Sequence, residues 1–336
     1  MRAEKASLNP LKIFLRFWLV GKGIGRMPDN VIEVKGLTKK FGHFTAVDHL
    51  NLNVKAGELF GLLGPNGAGK TTTVRMLCTL IKPTSGTAIV GGYDISREPA
   101  KVRREIGVVS EGVSLYKDLT IKENLSLLGK LYGISNSIVE NKMEELLEMF
   151  HFEEKANRLV GELSSGWMKK SLICAALLHN PKILFLDEVT SGLDPQSAIS
   201  LRDLTRKLCD QGVTVIWTTH YMQEPEKICD RVGVIFAGRL IQVGTPSELK
   251  RSASELSVIE VEVPNLSSHQ IGKISNLGEV CKVTYKDPML RVTCTRGFEL
   301  AEHVIKILVS SGARMKAINT VAVSYTHLTL PTNREV

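Results

Sequence analysis

The stretch Gly64-Pro65-Asn66-Gly67-Ala68-Gly69-Lys70-Thr71, followed by Thr72, decides the reading of this chain together with Ile183-Leu184-Phe185-Leu186-Asp187-Glu188. The first string fits the phosphate-loop pattern, a glycine, four residues, then Gly-Lys-Thr. At average residue usage it arises by chance in about 1% of chains this long, so the pattern needs only its structural context to be informative. That context is present. Leu59-Phe60-Gly61-Leu62-Leu63 reads as a buried strand just upstream, and Lys70 to Leu77 can open a helix just downstream. Gly64, Gly67 and Gly69 free the backbone to bring N–H groups close to an anion, and the positive end of the helix adds to that cradle. Lys70 would neutralise the β- and γ-phosphates of a nucleoside triphosphate, and Thr71 would offer its hydroxyl oxygen to Mg²⁺.

The second string is an apolar strand ending in two adjacent carboxylates. A strand buried on both faces delivers its C-terminal residues where α/β sheets bind ligands. Asp187 would hold Mg²⁺, and Glu188 would polarise the attacking water as general base. Binding of ATP with Mg²⁺, and its hydrolysis, are the expectations.

With both strings in place, the chain from about Val31 to Leu249 resembles the ATP-binding cassette (ABC) ATPases, whose motifs occur here in the family's order. The resemblance implies that Phe41 stacks on adenine. It implies that Leu163-Ser164-Ser165-Gly166 is the signature sequence, and that Ser191-Gly192-Leu193-Asp194 is the loop joining the two ATP sites of a dimer. His220, after Val215-Ile216-Trp217-Thr218-Thr219, would be the switch histidine contacting the γ-phosphate. Ser164, Ser165 and Gly166 precede a run from Lys169 to Leu178 that reads as a helix, and a helix start with small residues is an anion site. In the family that site serves the nucleotide of the partner subunit, so a head-to-tail homodimer or heterodimer of cassettes is implied, with Asp194 at the shared interface.

Three positions depart from the family pattern. Glu111 stands where Gln is usual; its carboxylate retains an oxygen for Mg²⁺ and for the nucleotide site but adds negative charge beside phosphates. Ser165 replaces the first glycine of a Gly-Gly pair and narrows backbone freedom. Trp167 stands where Gln or Met is common. Lys70, Asp187, Glu188 and His220 are all present, which argues for a working site.

The 336 residues suffice for one large core and one small domain. The six cysteines, Cys78, Cys174, Cys209, Cys229, Cys281 and Cys294, form no CxxC pair and suggest neither a disulfide framework nor a metal site. Of the net charge of +8, residues 1–42 carry +6, with nine Lys/Arg against three Asp/Glu. The remainder is nearly neutral, so no nucleic-acid footprint is expected over the fold. No stretch reaches transmembrane length; Leu11 to Val20 is too short and carries Lys12 and Arg16. A transport function would therefore place the pore on a separate transmembrane permease, with this chain peripheral at the cytoplasmic face of the membrane.

The expected organisation has four parts. Residues 1–26 are a basic extension, either non-native upstream sequence or a segment whose Leu11–Phe17 lies on an anionic membrane. Residues 27–251 form the cassette, an α/β P-loop NTPase in which strands alternate with helices. Within it Lys122 to Phe150 reads as helical, and Gly112–Thr120 as a docking groove for the permease. Residues 255–323 form an accessory α+β domain in the order β-α-β-β-α-β, suggesting a ferredoxin-like sandwich. Similar tails occur on the drug-exporter branch of the family, the group including daunorubicin-resistance ATPases. Residues 324–336 read as a disordered tail or a non-native scar.

The leading expectation is the energy-coupling subunit of an exporter. A soluble ABC protein of translation or DNA repair is the alternative, disfavoured by the single phosphate loop and the lack of sustained heptads between Lys70 and Asp187. A nucleotide sensor with little turnover, resting on Glu111 and Ser165, is another.

Overall fold

The computed structural model describes residues 29–110, 112–254, 256–278, 280–295 and 297–322. The expectations for residues 1–26, Glu111 and residues 324–336 lie outside the described residues. The chain opens with two long strands, β1 (Asn30–Phe41) and β2 (Phe44–Lys55), paired antiparallel through a turn in which Gly42 has φ +57°. This hairpin departs from the expected strand–helix alternation, which begins only at β3 (Leu59–Leu63). The polar–apolar alternation of Leu50-Asn51-Leu52-Asn53-Val54 is the cause: one face is buried and the other is open, as an antiparallel sheet requires.

There follow α1 (Lys70–Leu77), β4 (Ser85–Val90), β5 (Tyr93–Asp94), α2 (Pro99–Glu105) and β6 (Ile106–Val109). Next come α3 (Ile121–Leu131), α4 (Asn136–Met149), α5 (Ser165–Leu177), β7 (Ile183–Asp187), α6 (Pro195–Asp210) and β8 (Thr214–Thr219). The series continues with α7 (Gln223–Ile228), β9 (Arg231–Phe236), β10 (Arg239–Gly244) and α8 (Pro246–Ser254). One sheet has the order β2-β1-β4-β5. The other runs β10-β9-β3-β8-β7-β6, parallel throughout except for β10.

The parallel sheet is buried on both faces. Phe60, Leu62, Ile183 and Phe185 face the core shared with the antiparallel sheet, whereas Leu59, Leu63, Leu184 and Leu186 face the core shared with α3 to α6. Both faces being covered explains why β3 and β7 read as continuous apolar runs. It also places their C-terminal ends on the same edge of the sheet one strand apart, because β8 lies between β3 and β7.

The region from Lys122 to Phe150, read as helical, contains two helices, α3 and α4. Thr120 caps α3 through a reciprocal capping box with Glu123. Gly133, at φ +69°, then breaks the path before α4. A left-handed glycine just past a helix end is a strong stop signal, and the Leu/Met periodicity on either side concealed it. At this break the His179 ring stacks on Tyr132 at 4.2 Å, and its Nε2 bonds the Ile106 carbonyl at 2.9 Å. The other ring nitrogen is buried without a hydrogen-bond partner.

Burial pushes the His179 pKa below its ordinary value of 6.5. The unfolded chain therefore binds this proton more readily than the folded one. Stability is full above about pH 6.5 and declines as pH falls through that value. Between pH 7.5 and 5.5, His179→Gln should show a smaller drop in Tm than the unsubstituted protein. Equal drops would remove His179 from the acid response.

The last part consists of β11 (Leu256–Glu262), α9 (Ser268–Ser275), β12 (Val280–Lys286), β13 (Met289–Thr295), α10 (Gly297–Ser310) and β14 (Ala317–Ala322). Its sheet order is β12-β13-β11-β14, all antiparallel, with both helices on one face over a core that includes Ile259, Val261, Val292, Val304 and Leu308.

Candidate active site

The turn between β3 and α1 leaves no room for a side chain at Gly64 or Gly69. Gly67 and Gly69 adopt φ of +79° and +107°, and a Cβ on Gly69 would lie 2.6 Å from the Ala46 carbonyl oxygen. Gly64 needs no left-handed backbone; its constraint is space, because a Cβ there would strike the Ile235 carbonyl. Pro65 is half-buried, Asn66 and Gly67 are exposed, and Ala68 is buried. Helix α1 starts after Gly69 with no side-chain cap. Its first N–H groups, on Lys70, Thr71 and Thr72, have no partner within the helix and point out of its start.

Lys70 is 3% exposed. Its ammonium donates to the Gly64 carbonyl at 2.8 Å and the Pro65 carbonyl at 3.1 Å, and pairs with Glu188 Oε1 at 3.0 Å. The other Glu188 oxygen lies 3.0 Å from His220 Nδ1. Lys70, Glu188 and His220, from three separate elements, thus form one contiguous polar cluster. Glu188 itself has φ +50°, a left-handed conformation that a non-glycine residue adopts only when its surroundings impose it. Its backbone N–H is held by the Thr218 carbonyl and by Thr218 Oγ1 at 3.1 Å. The same Thr218 hydroxyl donates to Asp187 Oδ1, so one threonine fixes both carboxylate residues. Thr218 was within the strand quoted from sequence, but nothing in its spacing marked it as the partner of Asp187 and Glu188.

The oxygen set fits Mg²⁺. Asp187 keeps its second carboxylate oxygen, and Thr71 is half-buried at the start of α1. A hard cation that also binds phosphate needs few protein ligands, so one carboxylate and one hydroxyl suffice. Among the described residues no three His, Cys, Asp or Glu side chains cluster as a protein-only metal cage.

Phe41 ends β1, is 51% exposed, and has Lys39 Nζ 5.0 Å from its ring centre. Its strand is tied to the phosphate loop through β2, where Ala46 packs against Gly69.

Ser164, Ser165 and Gly166 sit at the start of α5, away from the Lys70 cluster in sequence and on a different element. Ser164 is the cap residue and Ser165 the first helical residue. Ser165 is not among the positive-φ residues, so its side chain does not strain the backbone there. This corrects the expectation that the Gly-to-Ser departure narrows a needed freedom. The stringent position is Gly166, where a Cβ would lie 2.5 Å from Ser197 Oγ of α6. Trp167 packs on Phe152 at 5.1 Å, with Lys155 and Lys170 over its ring. Asp194 is exposed and caps α6, accepting from the Ser197 N–H at 2.9 Å. The start of α5 and the Asp194 turn are therefore neighbours through Ser197, an arrangement that the sequence did not disclose.

A groove of about 460 Å³ runs beside α3 and α5, lined by Leu80, Val113, Leu115, Leu131 and Tyr132, with Arg103 and Arg104 at its edge. It begins at the expected Gly112–Thr120 segment but draws most of its walls from elsewhere. Among the described residues no helix is long and apolar enough to cross a membrane.

Comparison with known proteins adds the following. The family model described as "ABC transporter" matches residues 47–191. The probable multidrug ABC transporter ATP-binding protein YbhF of Escherichia coli is 43% identical over 68% of this chain, which spans only 40% of that relative's length. The daunorubicin/doxorubicin resistance ATP-binding protein DrrA of Streptomyces peucetius is 44% identical over 67% of this chain and 68% of its own. The linearmycin resistance ATP-binding protein LnrL of Bacillus subtilis is 37% identical over 78% of this chain and 84% of its own. Among solved structures, the dimeric post-hydrolysis state of the cassette MJ0796, bound to ADP and Pi, is 30% identical, covers 64% of this chain and 98% of its own, and has a TM-score of 0.58.

Proposed function

Because the chain belongs to the ABC transporter family, we propose that it is the ATP-hydrolysing subunit of a membrane exporter, working as a pair of cassettes on a separate permease. The observation that carries this reading is the Lys70–Glu188–His220 cluster at the C-terminal edge of a parallel sheet, beside an uncapped helix start. The nucleotide-binding part is assigned to residues 27–251, and residues 255–323 to an accessory domain.

In this mechanism the N–H groups of the loop and of Lys70, Thr71 and Thr72 bind phosphate oxygens, and the Lys70 ammonium leaves its loop carbonyls for the β- and γ-phosphates. Phe41 supports the base. Thr71 and Asp187 would hold Mg²⁺, which when bound neutralises charge between the β- and γ-phosphates. Glu188 takes the proton of the attacking water, and His220, already hydrogen-bonded to Glu188, turns to the γ-phosphate. Ser164, Ser165 and Gly166 supply N–H donors to the nucleotide of the second cassette, with Asp194 beside it. Binding closes the pair and hydrolysis releases it, a two-state switch whose bias is the nucleotide.

The groove supports the permease half of the reading. Leu131 is 72% exposed and Tyr132 47%, an apolar surface that water does not favour, and two guanidiniums stand at its edge. It suits a short amphipathic helix of the permease that carries a carboxylate. Leu131→Asp should abolish co-purification of the chain with its permease from solubilised membranes while leaving phosphate release by the isolated chain unchanged. Permease association that survives this change would place docking elsewhere. Absence of Mg²⁺-dependent phosphate release from both the isolated chain and its permease complex would remove the ATPase assignment.

A further inference from the structure

Glu224 is a buried carboxylate, 5% exposed, that none of the steps above uses. Its Oε2 accepts from Thr219 Oγ1 at 2.7 Å and from Thr190 Oγ1 at 3.0 Å, and its Oε1 faces Arg202 Nη1 at 3.4 Å. The three donors belong to three segments. Thr219 immediately precedes His220, and its hydroxyl also accepts from the Tyr221 N–H at 3.0 Å, so it shapes the turn that carries His220. Thr190 lies two residues past Glu188 and opens the turn that ends at Asp194, where Leu193 N–H bonds the Thr190 carbonyl. Arg202 lies on α6, the helix that Asp194 caps and whose Ser197 packs against Gly166.

A carboxylate taken out of water is retained only where donors face it, and here the donors come from three different segments. Chain links and contacts together lead from His220 through Thr219, Glu224, Thr190 and Leu193 to Asp194, Ser197 and Gly166. One end of that chain is the hydrolytic cluster. The other end is the edge assigned to the partner's nucleotide.

We propose that Glu224 is a positioning residue that couples the two nucleotide sites of the dimer, transmitting a change at His220 to the Asp194 turn and the start of α5. The inference rests on the dimeric ATPase reading. The coupling predicts cooperative hydrolysis, with a Hill coefficient approaching about 2 for two sites. Thr190→Val keeps the side-chain shape and removes only the link from Glu224 to the Asp194 turn. Glu224→Gln keeps an oxygen for both threonines but turns an N–H₂ toward Arg202.

The test measures steady-state ATPase activity of the full-length chain against ATP concentration, with nucleotide affinity and Tm measured alongside. Thr190→Val should lower the Hill coefficient to about 1 and kcat about tenfold, with single-site affinity for ATP and Tm unchanged. Glu224→Gln, which keeps the oxygen that both threonines share, should retain cooperativity, and the double variant should match Thr190→Val. Unaltered cooperativity in Thr190→Val overturns the proposal whatever Glu224→Gln does, including a failure to fold. Hydrolysis by the unsubstituted chain without cooperativity overturns the coupling alone. Absence of hydrolysis with and without the permease removes the dimeric ATPase reading and the coupling with it.

Discussion

Glu188→Gln should lower kcat for phosphate release on the order of 10³-fold, within the range expected for loss of a general base. Binding of Mg²⁺-ATP should be almost unaffected, because the carboxylate is assigned no contact with the nucleotide in the ground state. The substitution is isosteric. The backbone strain at φ +50° is held by Thr218 rather than by the side chain, so the amide should occupy the same place. Gln retains an oxygen toward Lys70, and its N–H₂ can face His220 Nδ1 in the other tautomer. What disappears is a base able to take a proton from water. The nucleotide-bound pair should then persist as a dimer that sedimentation detects, since the step that reopens it is blocked. Turnover retained to within about tenfold would show that another group takes the proton, and would reduce Glu188 to a tether for Lys70 and His220.

The legible parts of the molecule were those where one physical constraint acts on consecutive residues. A strand buried on both faces must be apolar at every position, so β3 and β7 could be read directly, and the residues at their ends followed. The phosphate loop was legible because two glycines must be left-handed and a third has no room for a Cβ. Boundaries set by one residue were less visible. Gly133, in the short break between α3 and α4, stops the first helix, and a periodic run on either side outweighed it. The β1–β2 hairpin was missed because an apolar–polar alternation of moderate length was read inside an α/β expectation.

Contacts between distant segments were not legible at all. Thr218 joins Asp187 to Glu188, and Ser197 brings Gly166 beside Asp194, across separations that no local pattern records. Glu224 shows the limit most clearly. In sequence it is one acidic residue in a short polar helix, indistinguishable from a solvated Glu226 two positions on. Its meaning comes only from the three donors that converge on it. The Ser165 position illustrates the opposite error, in which a departure from a family pattern was given weight that an ordinary helical backbone does not support.

Lys70→Met should lower ATP affinity roughly a hundredfold, the scale of a charge-assisted hydrogen bond at a desolvated site. It should also lower kcat at saturating ATP by a further 10² or so, because the ammonium is assigned to charge that grows in the transition state. Two effects on the folded protein must be separated from these. The Gly64 carbonyl loses its 2.8 Å donor, and Glu188 loses its ammonium partner. Glu188 is 24% exposed, so water and His220 compensate much of the second loss. The first costs about 1–3 kcal/mol if no water replaces the donor, and appears as a modest fall in Tm rather than as unfolding. Lys70→Arg supplies the discriminating control. Its charge is kept, but the planar guanidinium is larger than the ammonium it replaces in a position only 3% exposed, and it cannot present a compact point charge. If the role of Lys70 were simply positive charge, Arg would restore affinity and turnover. The packing around this side chain predicts that Arg restores neither fully. Near-normal activity of Lys70→Arg would mean that the loop opens further than its contacts with Gly64, Pro65 and Glu188 imply. Near-normal activity of Lys70→Met would remove Lys70 from the nucleotide site altogether.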